Sequence, residues 1–143
     1  MELRQITDTY HVSPQIDPDD APALAEAGVT LVICNRPDTE VPPSHHAAEV
    51  EKAVRAAGMD FAAVPLTHQT MTPENVARQA ELVESAEGKV LAYCASGTRC
   101  SVVWALGQAG ARPTDEILAA TARAGYMLDG LRPTLDAMAT GRG

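Results

Sequence analysis

At 143 residues the chain has room for one ordinary domain core and not for two. Hydrophobic residues make up 45% and charged ones 21%, a soluble globular balance, while aromatics at 3% leave Leu, Val, Ile and Ala to fill the interior. A formal net charge of -8 argues against nucleic acid or an anionic membrane as partner, because the summed field repels both; any anion site must be a local exception.

The predicted elements alternate. Leu3 to Ile6 and Tyr10 to Val12 suit a short hairpin turning at Asp8 and Thr9. Asp17, Asp19 and Asp20 offer caps and a negative first turn for a helix through Ala27, with Pro22 near its start and Gly28 ending it. Val29 to Cys34 is a continuous β-favouring run, as expected of a strand buried on both faces. The polar loop Asn35 to Pro43 follows, on the side where open α/β sheets bind ligands, so Arg36, Asp38 and Glu40 are candidates to line or brace a site. A turn fixed by an Arg-Asp pair explains Arg36 and Asp38 equally well.

Ser44 is placed to cap a helix whose apolar stripe is Ala47, Val50, Val54 and Ala57, ending at Gly58. The adjacent His45 and His46 point about 100° apart on a helix and do not chelate as a pair four residues apart would, so no metal is expected. Asp60 to Val64 reads as a strand, Pro65 to Met71 as a loop carrying His68, and Thr72-Pro73-Glu74 as a helix start whose buried side is Val76, Ala80 and Val83. His68, at a strand's carboxyl end, is a candidate proton carrier or simply a solvated loop residue. Beyond the central stretch, Gly110 ends one helix and Thr114 caps another running to Ala124 and Gly125, with Ile117, Leu118 and Thr121 inward. A last short helix uses Leu131, Leu135 and Met138, and the terminal TGRG is expected to fray.

The stretch from Lys89 to Ala109 organises the rest. Val90 to Tyr93 reads as a strand, Cys94-Ala-Ser-Gly-Thr-Arg99 as a tight loop, and the apolar run from Cys100 as a helix. A cysteine between a strand end and a helix start meets unpaired backbone N–H groups and the positive end of the helix dipole, which lowers a thiol pKa and makes an anion seat. Gly97 lets the loop Ala95, Ser96, Gly97 and Thr98 turn its amides inward, and Arg99 supplies a permanently charged fork over the seat. Cys94 is therefore the candidate nucleophile, Arg99 its anion-binding partner and Cys100 a possible neighbour in the site. The alternation of elements gives an α/β domain with a mainly parallel sheet flanked by helices, one domain over residues 1–143.

Cys34, Cys94 and Cys100 are too few and odd in number for a disulfide scaffold, which points to a reducing compartment. MELRQITDTYHV lacks an apolar signal core, so the expected location is cytoplasmic.

Four segments in order, VSPQI, NRPDTE, VPL…MTPENV and YCASGTRCSVVWAL, make the chain resemble the phosphatase-like domain of the β-lactamase-hydrolase-like family. The resemblance implies a fold like that of dual-specificity and tyrosine phosphatases. It also implies a possible functional partner, since similar domains occur fused to or encoded beside persulfide-handling enzymes. Cysteine phosphatases place five residues between cysteine and arginine; here four intervene, Ala95 to Thr98, as in the loop of rhodaneses. Phosphatases of this fold also carry an aspartic acid on a neighbouring loop, and Pro65 to Thr72 contains no Asp or Glu.

These two departures make a sulfurtransferase the leading expectation: Cys94 takes sulfane sulfur from a small anionic donor, thiosulfate or a persulfide, and passes it to a thiol acceptor without a cofactor. The alternative is a cysteine-dependent phosphatase with a phosphocysteine intermediate. A third possibility is a redox sensor in which Cys94 and Cys100 form a disulfide, against the plain reading of Cys100 as a buried helix residue.

Overall fold

Strand β5 (Lys89–Tyr93) lies at the centre of the sheet that organises the structure, a computed structural model describing residues 2–142. Its neighbours are β2 (Tyr10–Ser13) and β3 (Val29–Cys34), both parallel to it. Beyond them lie β1 (Arg4–Gln5), antiparallel to β2, and β4 (Asp60–Ala63), parallel to β3, giving the order β1-β2-β5-β3-β4. The register sets Tyr93 beside both Ser13 and Cys34, so three strands end together along one edge of the sheet.

Alternation of side chains divides the core in two. Leu31, Ile33, Val90 and Ala92 point into one cluster, and Val32, Cys34, Leu91 and Tyr93 into the other. The second face is covered by α1 (Ala21–Glu26) through Leu24 and by α2 (Ala47–Ala56) through Val50 and Val54. The first face carries α3 (Pro73–Ser85), α4 (Thr98–Gln108), α5 (Thr114–Arg123) and α6 (Arg132–Arg142), which contribute Val76, Val103, Ile117 and Leu135. Burial on both faces is why residues 31–34 of β3 and 90–93 of β5 carry no charged or strongly polar side chain.

Several boundaries differ from the sequence reading, each for a local reason. Ser44 does not cap α2: it sits in a 3-10 turn, Pro43–His45, and its hydroxyl faces His45 Nδ1 at 2.8 Å. The first amide of α2, Ala47 N–H, donates instead to Asp38 Oδ1 at 2.8 Å. Helix α4 begins at Thr98 rather than Cys100, because Gly97 takes φ 96° and turns the chain into the helix two residues earlier. Thr114 is the first residue of α5 and not its cap; its hydroxyl donates to Asp136 of α6 at 2.6 Å. The end of α6 continues through Arg142, so the expected fraying is not seen up to that residue, and Gly143 lies outside the described residues. On α3 the most deeply buried residues are Val76 and Gln79, with Ala80 and Val83 only partly covered.

Replacing Leu91, fully buried in the middle of β5, with Ala is expected to cost about 2–5 kcal/mol of unfolding free energy, read from urea denaturation.

Candidate active site

The chain leaves β5 at Tyr93 and enters the four-residue bend Cys94–Gly97 before α4 begins. Gly97 is required twice over. Its φ of 96° is in the region that L side chains avoid, and a Cβ there would lie 2.0 Å from the Tyr126 hydroxyl. Behind the bend, Ser101 clamps the Gly97 carbonyl with its hydroxyl at 2.9 Å and its N–H at 3.0 Å. Within the bend, Ser96 Oγ accepts from Thr98 N–H at 3.3 Å and meets the Thr98 hydroxyl at 2.9 Å.

These turns aim backbone hydrogens at one atom. Gly97 N–H donates to Cys94 Sγ at 3.1 Å, and the amides of Ser96 and Cys100 also favour its thiolate. The strongest single influence is the Cys100 thiol, which hydrogen-bonds to the Cys94 sulfur. Together they outweigh burial, which opposes charge, and hold Cys94 well below the ordinary thiol range, at about 5. Burial and the neighbouring Cys94 push Cys100 far up, so it remains a thiol, and burial likewise pushes Cys34 up. All three cysteines are unlinked. Cys94 has no solvent-accessible surface, whereas Ala95, Ser96 and Thr98 are exposed above it. The sulfur is thus charged as the sequence suggested, but closed over rather than open.

Arg99, in the first turn of α4, is gripped end-on by a carboxylate. Its Nη1 donates to Glu40 Oε2 at 2.8 Å and to the Leu66 carbonyl at 2.9 Å, and its Nη2 to Glu40 Oε1 at 2.7 Å. Glu40 also receives Arg36 Nε at 3.2 Å, while Arg36 Nη1 reaches Gln15 Oε1 at 3.2 Å. The two guanidinium groups, Arg99 foremost, keep the Glu40 carboxyl below its usual range. Negative charge on Cys94 adds to that of Glu40 in holding Arg99 protonated, so thiolate and guanidinium lie within electrostatic reach of each other.

A buried polar chain fixes this arrangement from behind. Asn35 and Gln79 exchange reciprocal amide bonds at 3.0 Å, and Asn35 also donates to the Val64 carbonyl at 2.9 Å. Gln79 Nε2 donates to the Tyr10 hydroxyl at 3.2 Å, which in turn donates to the Cys100 carbonyl at 2.8 Å. All of these groups are buried, and each is satisfied, as low-dielectric surroundings demand.

Of the candidates read from sequence, Cys94, Ala95, Ser96, Gly97, Thr98, Arg99 and Cys100 come together, with Arg36 one residue removed through Glu40. Asp38 is occupied in capping α2, and the expected Arg36–Asp38 turn is replaced by the Arg36–Glu40 pair. His68 is an exposed loop residue. Gln79, Tyr10 and Tyr126 were not singled out. Gln79 left a signal, a polar residue spaced three and four from Val76 and Val83 on an otherwise apolar helix stripe.

Residues 2–111 match the family described as beta-lactamase hydrolase-like protein, phosphatase-like domain. This chain belongs to that family. The beta-lactamase hydrolase-like protein of Agrobacterium fabrum (strain C58 / ATCC 33970) is 31% identical over 109 residues, 76% of this chain and 25% of the relative. This phosphatase-like domain therefore spans about a quarter of the curated relative's length. The crystal structure of a candidate phosphatase from Neisseria meningitidis Z2491 superposes with a TM-score of 0.85 at 34% identity, covering 96% of this chain and 99% of the other. Tk-PTP in its active form gives a TM-score of 0.69 at 17% identity, covering 99% and 97%, a likeness of fold alone. The fold is that of dual-specificity and tyrosine phosphatases, as the resemblance implied.

Cys100→Ala removes the thiol hydrogen bond and is expected to raise the Cys94 titration above about 5, seen as thiolate absorbance in the ultraviolet. Because the folded-state value is depressed, the stability that Cys94 ionisation contributes is complete above the unfolded thiol's pKa and vanishes as pH falls through about 5. Urea midpoints of the wild type and of Cys94→Ala should converge as the pH is lowered into that region.

Proposed function

We propose that this domain is a cysteine-dependent phosphatase that hydrolyses phosphate monoesters through Cys94. The observation that carries the reading is the Cys94 sulfur, met by the Gly97 N–H at 3.1 Å and held at about 5 by the Cys100 thiol and the converging amides, in a chain of the phosphatase-like family. The thiolate attacks phosphorus, an S–P bond forms, and the P–O bond breaks with its electron pair leaving on the alcohol or phenol oxygen. Water then attacks the phosphocysteine, releasing inorganic phosphate and restoring the thiolate.

Arg99 supports the phosphoryl group with the donors it still has. Of its five N–H groups, Glu40 and the Leu66 carbonyl take both on Nη1 and one on Nη2. The Nε–H and the second Nη2–H remain, two parallel donors along one edge of the plane, which suit two oxygens of a tetrahedral anion. Glu40 thus orients Arg99 and leaves it a working edge. Since Sγ has no solvent-accessible surface, turnover requires a local opening over Cys94 as substrate enters.

Proton delivery to the leaving group limits the substrates. Glu40 is kept ionised by Arg99 and Arg36, and the loop from Pro65 to Thr72 has no carboxylic acid. Esters whose leaving group departs as a stable phenolate need no such proton, whereas alkyl esters forgo an acceleration of about 100- to 10,000-fold. Aryl phosphates are the substrate class this favours.

A second reading, sulfur transfer, is favoured by the four residues between Cys94 and Arg99 and by the lack of a carboxylic acid between Pro65 and Thr72. A Cys94 persulfide formed from thiosulfate, with sulfite leaving, would add one sulfur atom to the protein mass.

With an aryl phosphate, kcat/KM should be abolished in Cys94→Ser and fall about 100-fold or more in Arg99→Lys, with alkyl phosphates far poorer substrates throughout. Mass gain after thiosulfate, lost in Cys94→Ser and without aryl phosphate turnover in the wild type, would instead decide for sulfur transfer.

A further inference from the structure

Tyr126 follows α5 and lies beyond the residues matched by the family, yet it reaches the centre of the site. Its backbone is fixed by an N–H bond to the Thr121 carbonyl at 2.9 Å, and its ring is buried. The hydroxyl lies between two groups: Arg4 Nη1, 3.2 Å away, and the Ser96 carbonyl, 2.8 Å away. A phenol can donate or accept, but an arginine only donates. Arg4 therefore uses a lone pair of the hydroxyl, whose single proton is committed to Ser96. The Arg4 charge, 5.3 Å from the ring centroid, also polarises the phenol toward donation.

The Ser96 carbonyl belongs to the same rigid peptide plane as the Gly97 N–H that donates to Cys94 Sγ. Carbonyl and N–H point opposite ways across that plane. Tyr126 holds one end and the sulfur meets the other. Were the plane to turn over, the carbonyl oxygen would face the thiolate in place of the N–H, exchanging attraction for repulsion.

We propose that Tyr126, anchored by Arg4, is a positioning residue that holds the Ser96–Gly97 peptide with its N–H on the nucleophilic sulfur. The inference rests on reading Cys94 as the nucleophile but not on which group it transfers. It explains why Gly97 tolerates no side chain on that flank, since the Tyr126 oxygen occupies the space a Cβ would take. Charged and titratable groups facing Cys94 are Cys100 and Arg99 on α4, Cys34 on β3, Tyr10 on β2 and Tyr126 itself. Among these only Cys94 ionises in the mildly acidic range, because the other two thiols and the tyrosines are all pushed up.

The test is ultraviolet titration of the thiolate from about pH 4 to about pH 8 in wild type and Tyr126→Phe, with the Cys94→Ser trace as blank. Loss of the anchoring bond should raise the inflection by about one pH unit, while Arg4→Met, which keeps the hydroxyl, should raise it less. An unchanged inflection in folded Tyr126→Phe overturns the proposal; should that variant fail to fold, an unchanged inflection in Arg4→Met overturns it. The titration needs no turnover. A wild type that titrates as expected but hydrolyses no aryl phosphate would sink the phosphatase reading and leave this one standing.

Discussion

A buried negative sulfur is the constraint around which this domain is arranged. Cys94 has no contact with solvent, so every group that stabilises its charge must come from the protein. The bend after β5 supplies the Ser96 and Gly97 amides, and α4 supplies its dipole together with the Cys100 amide and thiol. Each of these depends on the chain turning sharply at Gly97, and that turn in turn depends on Ser101, Tyr126 and the packing of α4. The sheet contributes the fixed end: Tyr93 is registered between Ser13 and Cys34, so the start of the bend cannot drift.

The polar chain Asn35–Gln79–Tyr10 extends that fixity across three elements. It ties the loop after β3, the middle of α3 and strand β2 to the Cys100 carbonyl. Its bonds contribute modest net stability each, since folding exchanges water for protein partners, yet leaving any one of these buried groups unpaired would cost about 1–3 kcal/mol. The chain is therefore a device for position more than for stability. It fixes the second cysteine, whose hydrogen is what the first one most needs.

Much of this was legible in the sequence because it is local. Val29–Cys34 and the strand before Cys94 announce themselves as doubly buried, and Thr72-Pro73 opens α3 with the Thr72 hydroxyl accepting from Asn75 N–H, as its residue types require. The cysteine, the glycine and the amide cradle follow from three positions in one loop. What was not legible is long-range. Glu40 is one of three charged residues in its loop, and nothing local says that it, rather than Asp38, would meet Arg99, 59 residues away. Tyr126 looked like any tyrosine after a helix; its partner lies 30 residues back and its anchor 122. The four-residue spacing and the absent loop acid set the functional expectation toward sulfur, whereas the family and the fold are phosphatase-like.

The Glu40–Arg99 pair has a kinetic side. With Arg36 also on Glu40 and the Cys94 thiolate beside Arg99, two positive and two negative charges cancel, so the site presents no net positive beacon to an approaching anion, and the chain carries -8. An anionic substrate must come in against the field of the protein, and added salt shortens the reach of that field to about 8 Å at physiological strength. Encounter should then quicken as ionic strength rises, the reverse of what an uncompensated arginine at the mouth of such a cleft would give.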